Sequence, residues 1–432
     1  MSDAPEILRA AILHTPRNPF REAGALEAHA DGALAVGGGH ILAIGDYTTV
    51  RAAHPQAEVQ DWRGSVILPG LIDTHVHYPQ TRIIGGLGWP LLDWLRLHAL
   101  PEEARMGDTA YAAQVAGEFV RSMVRHGTTS ALVFGAHFGE ATDLLFQAAC
   151  AGGIRIATGL VLSDRLLPEA LLQTPDEAYR ASKDLIARRH GKGGQRYAVT
   201  PRFALSASEA MLEVCGALLR EHPDLLFQTH LNENPTEISE VRDAFPSARD
   251  YLEVYDRHGL AGPRSVFAHN VHPTDGELTR LATAGSSVAT CPCSNAVLGS
   301  GIFPMRRHLS AGVRFALGTD VGAGTGFGIL KESLQCYMMQ RSLADGILLS
   351  PAHLLYLATR AGAEALGLAE ETGDFTPGKS ADFVRWLPPE GTPLASAMER
   401  AQSPERLLAA LIAQGGAESV REVRVAGQAV AL

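Results

Sequence analysis

Four histidines and two carboxylates in this chain fall where they could work together. His75 and His77 close the run PGLIDTHVH, His230 closes LLFQTH, His269 closes SVFAH and Asp320 closes VRFALGTD. Each lies at the C-terminal end of a short apolar stretch, and Glu233 follows His230 in HLNE. Imidazole nitrogens and carboxylate oxygens are ligands for borderline metals such as zinc. His75 and His77 are two positions apart, so on a strand both project to one face and can reach one ion. A lone His-x-His is common in ordinary packing. This one is preceded by Asp73, opened by Pro69-Gly70 and followed by two more histidines at the ends of apolar runs. Asp320 could ligate a metal and accept a proton from its water, and beside a cation it stays ionised. His269 could be a ligand, or could donate to a developing negative charge. Glu233 could stay off the metal and move protons, as the non-ligand glutamate does in zinc deaminases of another fold. The metal would lower the pKa of a water from 15.7 toward about 7. Glu233 would then pass protons between that water and a substrate. Such chemistry serves any activated C–N bond and does not name the substrate.

Residues so far apart in sequence need a scaffold that gathers them. Eight β-rich runs follow the first sixty or so residues, at 65–77, 130–138, 154–163, 197–203, 225–230, 265–269, 287–292 and 313–320. Most of the stretches between them read as amphipathic helices. Examples are 109–127, stopped by Gly127, and 208–222, capped by Ser208. The gap between the seventh and eighth runs is short. This alternation predicts an α/β fold, a (β/α)8 TIM-type barrel over 65–372, whose strand C-termini share one face. Residues 1–64 and 373–432 carry short strand-like runs and turn residues, and are expected to pair as one small β domain. The long segment 85–108 after the first barrel strand reads as a lid or pocket wall.

Composition removes several alternatives. The chain has 432 residues and a formal charge of -10, which gives no electrostatic case for nucleic-acid binding. No run of about 18 apolar residues suggests a membrane span, and MSDAPEILRA lacks a basic region followed by an apolar core. Five cysteines fit reduced thiols in the cytoplasm. Cys291 and Cys293 form a C-x-C with no second pair, so they read as packing or wall residues. His98, His137, His272 and His308 read as surface or packing residues.

Several stretches then carry a likeness. HVHYPQTR with Gln80, PLLDWL (90–95), TPRFALSASE (200–209), QTHLNEN (228–234), CPCSNAVLGSG (291–301) and ALGTDVGAG (316–324) resemble the aromatic-deaminase branch of the amidohydrolase superfamily. More narrowly they resemble its guanine deaminase family, over roughly residues 65–380. The resemblance implies one zinc ion per chain, or Fe2+ in its place, bound by His75, His77, His230 and Asp320. It implies Glu233 as proton shuttle and His269 beside the reacting water. Gln80 and Arg202 would bind the purine and Phe203 would stack on it, with His77 and His230 also reaching the substrate. The implied activity is hydrolysis of guanine to xanthine and ammonia by a cytoplasmic homodimer. Arg202 and Gln80 suit a lactam oxygen and ring nitrogens, since one offers a planar fork of donors and the other a donor and an acceptor. Two departures bear on pocket shape: Cys293 in CPCSN, and Gly88-Trp89 in the first loop. The alternative is a sibling enzyme acting on another aminated or chlorinated heterocycle, such as a triazine, a pterin or 8-oxoguanine.

Overall fold

Eight parallel strands wind around one axis: Leu71–His77, Thr128–Phe134, Arg155–Gly159, Arg196–Pro201, Leu226–Leu231, Ser265–His269, Ser287–Thr290 and Arg314–Leu317. Each pairs in parallel with the next. The computed structural model describes residues 5–432; residues 1–4, the start of the stretch read for a leader, lie outside it. The (β/α)8 expectation is met, with helices between the strands and a separate β layer at one side. The barrel core is apolar and aromatic, with Phe119, Phe146, Phe227 and Phe267 fully buried between strands and helices.

The ring closes between its eighth and first strands through hydrogen bonds beyond the regular ladder. Asp320 N donates to His75 O at 2.8 Å and His77 N to Val321 O at 3.1 Å. Asp73 accepts from Thr319 N (3.0 Å), from Thr319 Oγ1 (2.5 Å) and from His75 N (3.2 Å). Thr74 Oγ1 donates to Leu317 O at 2.8 Å. Gly318 permits this approach: a Cβ there would lie 2.8 Å from His75 Cβ and 2.9 Å from His75 N. Asp73 therefore ties together the two segments that carry His75 and Asp320.

The run 65–77 does not form one strand. Glu58–Pro69 belongs to the small sheet, parallel to Glu6–His14 and antiparallel to Phe383–Trp386. The first barrel strand starts at Leu71. The chain changes sheets at Gly70, whose N–H donates to Asp382 O while Leu71 N donates to Gly127 O. A Cβ at Gly70 would lie 2.0 Å from Thr129 Oγ1, so no larger residue fits the crossing. The small sheet has seven strands drawn from both ends of the chain, around a core that includes Leu8, Ile12, Trp62, Phe375 and Phe383.

The helices read from periodicity are present. Thr109–Arg125 ends just before Gly127, and Asp108 accepts from Ala110 N and Tyr111 N at its start. Glu209–Glu221 is capped by Ser208, which accepts from Met211 N. The short gap between the seventh and eighth strands holds two short helices, Pro292–Val297 and Met305–Ala311. The segment 85–108 is mostly helical: Leu91–Trp94, a π turn Leu95–Ala99, then Leu100–Arg105. Among the described residues, no helix is long and apolar enough to cross a membrane.

Replacing Asp73 strands buried donors on both segments it joins. Asp73→Ala is expected to cost ~2–4 kcal/mol, the range for leaving several buried groups unpaired. Urea unfolding checks this, and a loss below about 0.5 kcal/mol would show that the ring closes without the clamp.

Candidate active site

The barrel brings the strand-end residues together. Ligand atoms of His75, His230, His269 and Asp320 all lie within 4.8 Å of one another, and all four residues are buried. His77 competes with His269 for a place in the innermost set, and distance separates them. His77 Nε2 is 3.3 Å from His75 Nε2, from His230 Nε2 and from Asp320 Oδ1. His75 Nε2 is 3.2 Å from Asp320 Oδ1. His269 Nε2 stands further off, 3.9 Å from Asp320 Oδ2, and lies 3.4 Å from Glu233 Oε2. Four donors each about 2.0–2.1 Å from a tetrahedral ion sit roughly 3.3–3.4 Å apart. The spacing of His75, His77, His230 and Asp320 matches that figure.

The donors also have the right protonation. Burial pushes the His75 imidazole down to about 4 and the His230 imidazole well below its usual value, so both are neutral at pH 7. His230 Nδ1–H donates to Arg202 O at 2.6 Å, leaving the Nε2 lone pair toward the cluster. Burial alone would raise the Asp320 carboxyl, but hydrogen bonds from His75 and His77 outweigh it and hold the group well below the usual carboxylate range. Ser294 Oγ donates to Asp320 Oδ2 at 2.5 Å. His269 Nδ1–H donates to Asn295 Oδ1 at 3.0 Å, and its buried Nε2 has no hydrogen-bond partner among the described residues. Asn232, His269, Asn270 and Asp320 all adopt left-handed backbone, with φ of 50°, 69°, 44° and 48°. Such strain costs on the order of 1–3 kcal/mol each and clusters at functional sites. Here it turns the chain at the strand ends where the cluster sits.

One small cavity joins this cluster to the other expected residues. His77, Gln80, Arg202, Phe203, His230, Glu233, His269 and Asp320 all line it, and Leu91, Trp94 and Leu95 of the segment after the first strand wall it in. His75 lies behind, 1% exposed. A larger cleft adjoins it, sharing Leu95, Arg202 and Phe203, and others lie elsewhere; among the described residues none of these holds a comparable convergence of ligands. Burial and the nearby Asp320 charge raise the Glu233 carboxyl to about 8, while Ser300 Oγ donates to it at 3.3 Å. A second cavity carboxyl, Glu237, accepts from Glu233 N, Asn234 N and Tyr251 Oη. It is also the N3 member of an Asn234–Glu237 capping box, a pattern that was readable in NENPTE.

Sequence reasoning missed Glu103. Its carboxylate receives two hydrogen bonds from Arg202, Nη2 to Oε1 at 2.8 Å and Nε to Oε2 at 3.1 Å, and one from Gln80 Nε2 at 2.8 Å. His137 Nδ1 lies 3.6 Å from Glu103 Oε2, so this histidine is a buried support. His308 is likewise buried, against Phe303 and Asn270. Cys291 and Cys293 are buried free thiols, pushed upward by burial, and sit among the packing of the wall. Ser294 and Asn295 of the same CPCSN stretch are the ones that reach the cluster.

A barrel with this His–Asp cluster at its strand C-termini is the plan of a metal-dependent hydrolase, and the amidohydrolase family, whose model matches residues 66–430, is the family to which the chain belongs. A shorter match, over residues 32–57, is to an imidazolonepropionase-like composite domain of bacteria. Within the family the chain's relatives are guanine deaminases. It is 58% identical over 431 residues to the probable guanine deaminase of Deinococcus radiodurans, covering 98% of each chain. It is 41% identical over 384 residues to the guanine deaminase of Escherichia coli, covering 89% of this chain and 87% of that one. The solved structure of E. coli guanine deaminase superposes with a TM-score of 0.95 at 38% identity, covering 99% of each chain.

The ion pair at the pocket wall has a signature in acid. Burial alone would raise the Glu103 carboxyl, but Arg202's charge and hydrogen bonds bring it down from 4.5 to about 2. A carboxyl depressed in the folded state stabilises the fold above its unfolded value and loses that contribution as pH falls through the folded value. Glu103→Gln should therefore flatten the loss of stability between about pH 4.5 and about pH 2 by up to one proton's worth of slope. Denaturant midpoints measured across that window test it, and an unchanged slope would contradict the pairing.

Proposed function

We propose that this protein is a cytoplasmic zinc enzyme that hydrolyses guanine to xanthine and ammonia. One observation carries the reading: a donor set of three histidines and an aspartate, with His75 behind, opens through His77, His230 and Asp320 onto a small cavity whose wall bears Arg202 and Gln80. His75, His77, His230 and Asp320 hold the metal in this proposal, and Fe2+ would suit the same donors. When bound, the metal supplies Lewis acidity that brings a water toward neutral ionisation.

The chain's own residues then do the rest. Arg202 and Gln80 donate to the lactam edge of the base and Phe203 packs on its face. They set the carbon bearing the exocyclic amine over the donor cluster. Glu233, its carboxyl raised to about 8 by burial and by Asp320, gives a proton to the ring nitrogen next to that carbon, which withdraws electron density from the carbon under attack. Glu233 takes up one proton of the attacking water and passes it to the departing nitrogen, then regains its own proton from the adduct's hydroxyl as the carbonyl forms and ammonia leaves. Water and guanine thus become xanthine and ammonia with every proton accounted for. His269, aligned by Asn295, faces Glu233 and Asp320 with its free Nε2 and orients the water or steadies the tetrahedral adduct. Five free thiols support the cytoplasmic setting. A homodimer is proposed with it, to be read by sedimentation.

Two measurements test this. Metal-loaded protein mixed with guanine should release xanthine and ammonia in equal amounts, and Glu233→Ala should lose about 10²–10⁴-fold in kcat. No xanthine from a metal-loaded sample would move the substrate to another heterocycle. His77→Ala should fall well below one metal per chain by elemental analysis. His269→Ala should keep its metal and lose kcat. The reverse pattern would exchange the two histidines' roles.

A further inference from the structure

The Arg202 guanidinium and the Gln80 amide belong to different parts of the barrel top. Arg202 follows the fourth strand, and Gln80 lies just past the first. What they share is Glu103, on the helix Leu100–Arg105 that ends the cover of the cavity. Its carboxylate is 4% exposed. Oε1 receives both Arg202 Nη2 and Gln80 Nε2 at 2.8 Å, and Oε2 receives Arg202 Nε at 3.1 Å. Gln80 Oε1 meanwhile accepts from Gly322 N at 3.1 Å. That pattern settles the orientation of the amide. Turned over, it would set its oxygen against the carboxylate and its NH2 against a backbone N–H. The arginine is settled too, because a bidentate pair fixes the plane of the guanidinium. Arg202 Nη1 and the second N–H of Gln80 remain for a ligand. Glu103 also cancels the arginine's charge, so the wall offers hydrogen-bond donors without a net positive charge.

We propose that Glu103 is a positioning residue. It aims Arg202 and Gln80 so that together they read an acceptor edge on a neutral heterocycle, an oxo group beside a ring nitrogen. This rests on the reading under Proposed function. The oxo group does not change in the reaction, so its contacts are equal in the bound and transition states. Losing them raises KM and leaves kcat alone.

The test is steady-state kinetics of metal-loaded Glu103→Gln with guanine, and with 2-aminopurine, which lacks the oxo group, as competitive inhibitor. The expected result is a KM for guanine raised about 10-fold or more with kcat within about 3-fold. The Ki of 2-aminopurine should move less than about 3-fold, since it lacks the oxo acceptor that the aimed donors read. A fall in kcat at constant KM, or equal losses for both bases, would overturn the proposal, because general loosening acts on both alike. If Glu103→Gln does not fold, the pair Glu103→Gln with Arg202→Gln removes the stranded guanidinium. Its KM should then match that of Arg202→Gln alone, whereas additive losses would count against positioning. If the wild-type enzyme does not turn over guanine, the functional reading falls and this inference is decided by crystallography. The Arg202 guanidinium of Glu103→Gln should shift by about 1 Å or more. An unmoved guanidinium would overturn the role.

Discussion

The hydrogen bonds of Asp73 join the two ends of a parallel sheet, and the rest of the site follows from that junction. A barrel of eight strands has one seam where the first strand must meet the last. Here the seam runs between Leu71–His77 and Arg314–Leu317, and both of its segments carry donors of the cluster at their C-terminal ends. His75 O accepts from Asp320 N, so the backbone bond that shuts the ring also sets the distance between two of those donors. Asp73, Thr74, Gly318 and Thr319 all serve this approach. Stability and chemistry are coupled at this seam, since a slip in register would carry one donor away from the other.

A second constraint is electrostatic. Asp320 and Glu233 are both buried beside the cavity, with Glu237 close behind. Buried carboxyls cannot all stay ionised without cations or protons to balance them. The structure meets this in three ways. Asp320 is ionised against imidazoles and Ser294. Glu233 and Glu237 are raised by burial to about 8 and about 7. Glu103 is ionised against Arg202. Carboxyls of one type thus divide, according to what surrounds them, into one ionised within the cluster, two raised by burial and one paired with an arginine.

How much of this could be read from residues alone depended on whether a position is set by strand ends or by helix register. His75, His77, His230, His269 and Asp320 each close an apolar run, and a barrel places all such ends on one face, so their convergence was legible. Which histidine stands inside and which a step outside was not, because that turns on a small difference in reach between His77 and His269. Glu103 was opaque for a different reason. It adjoins Glu102 in ALPEEARM, and nothing in composition separates the two. In the fold, Glu102 meets Arg105 and Tyr111 while Glu103 faces the cavity wall. The π turn Leu95–Ala99 inserts a residue's worth of rotation just before them, and sequence periodicity does not announce it. Ser294 and Asn295 were hidden by the C-x-C beside them. Their roles depend on a short helix, Pro292–Val297, in the short gap between the seventh and eighth strands.

The reacting groups and the reading groups have different supports. The cluster histidines stand on strand ends held by ladder bonds to a neighbouring strand, and Asp320 is held by the seam hydrogen bonds. The reading edge is assembled from the loop after one strand, the turn after another and a carboxylate delivered by the cover. Metal chemistry common to a whole family needs the rigid part and tolerates little change there. Substrate choice needs a part that can be altered without disturbing the seam, and residues of the cover satisfy that requirement. On this division, a relative that acts on a different ring would keep the strand-end donors and differ at the cover. The charge on the wall is the sensitive variable, because an arginine left without its carboxylate would favour anions over neutral bases. Pairing Arg202 with a buried glutamate leaves the wall with hydrogen-bond donors but no net positive charge.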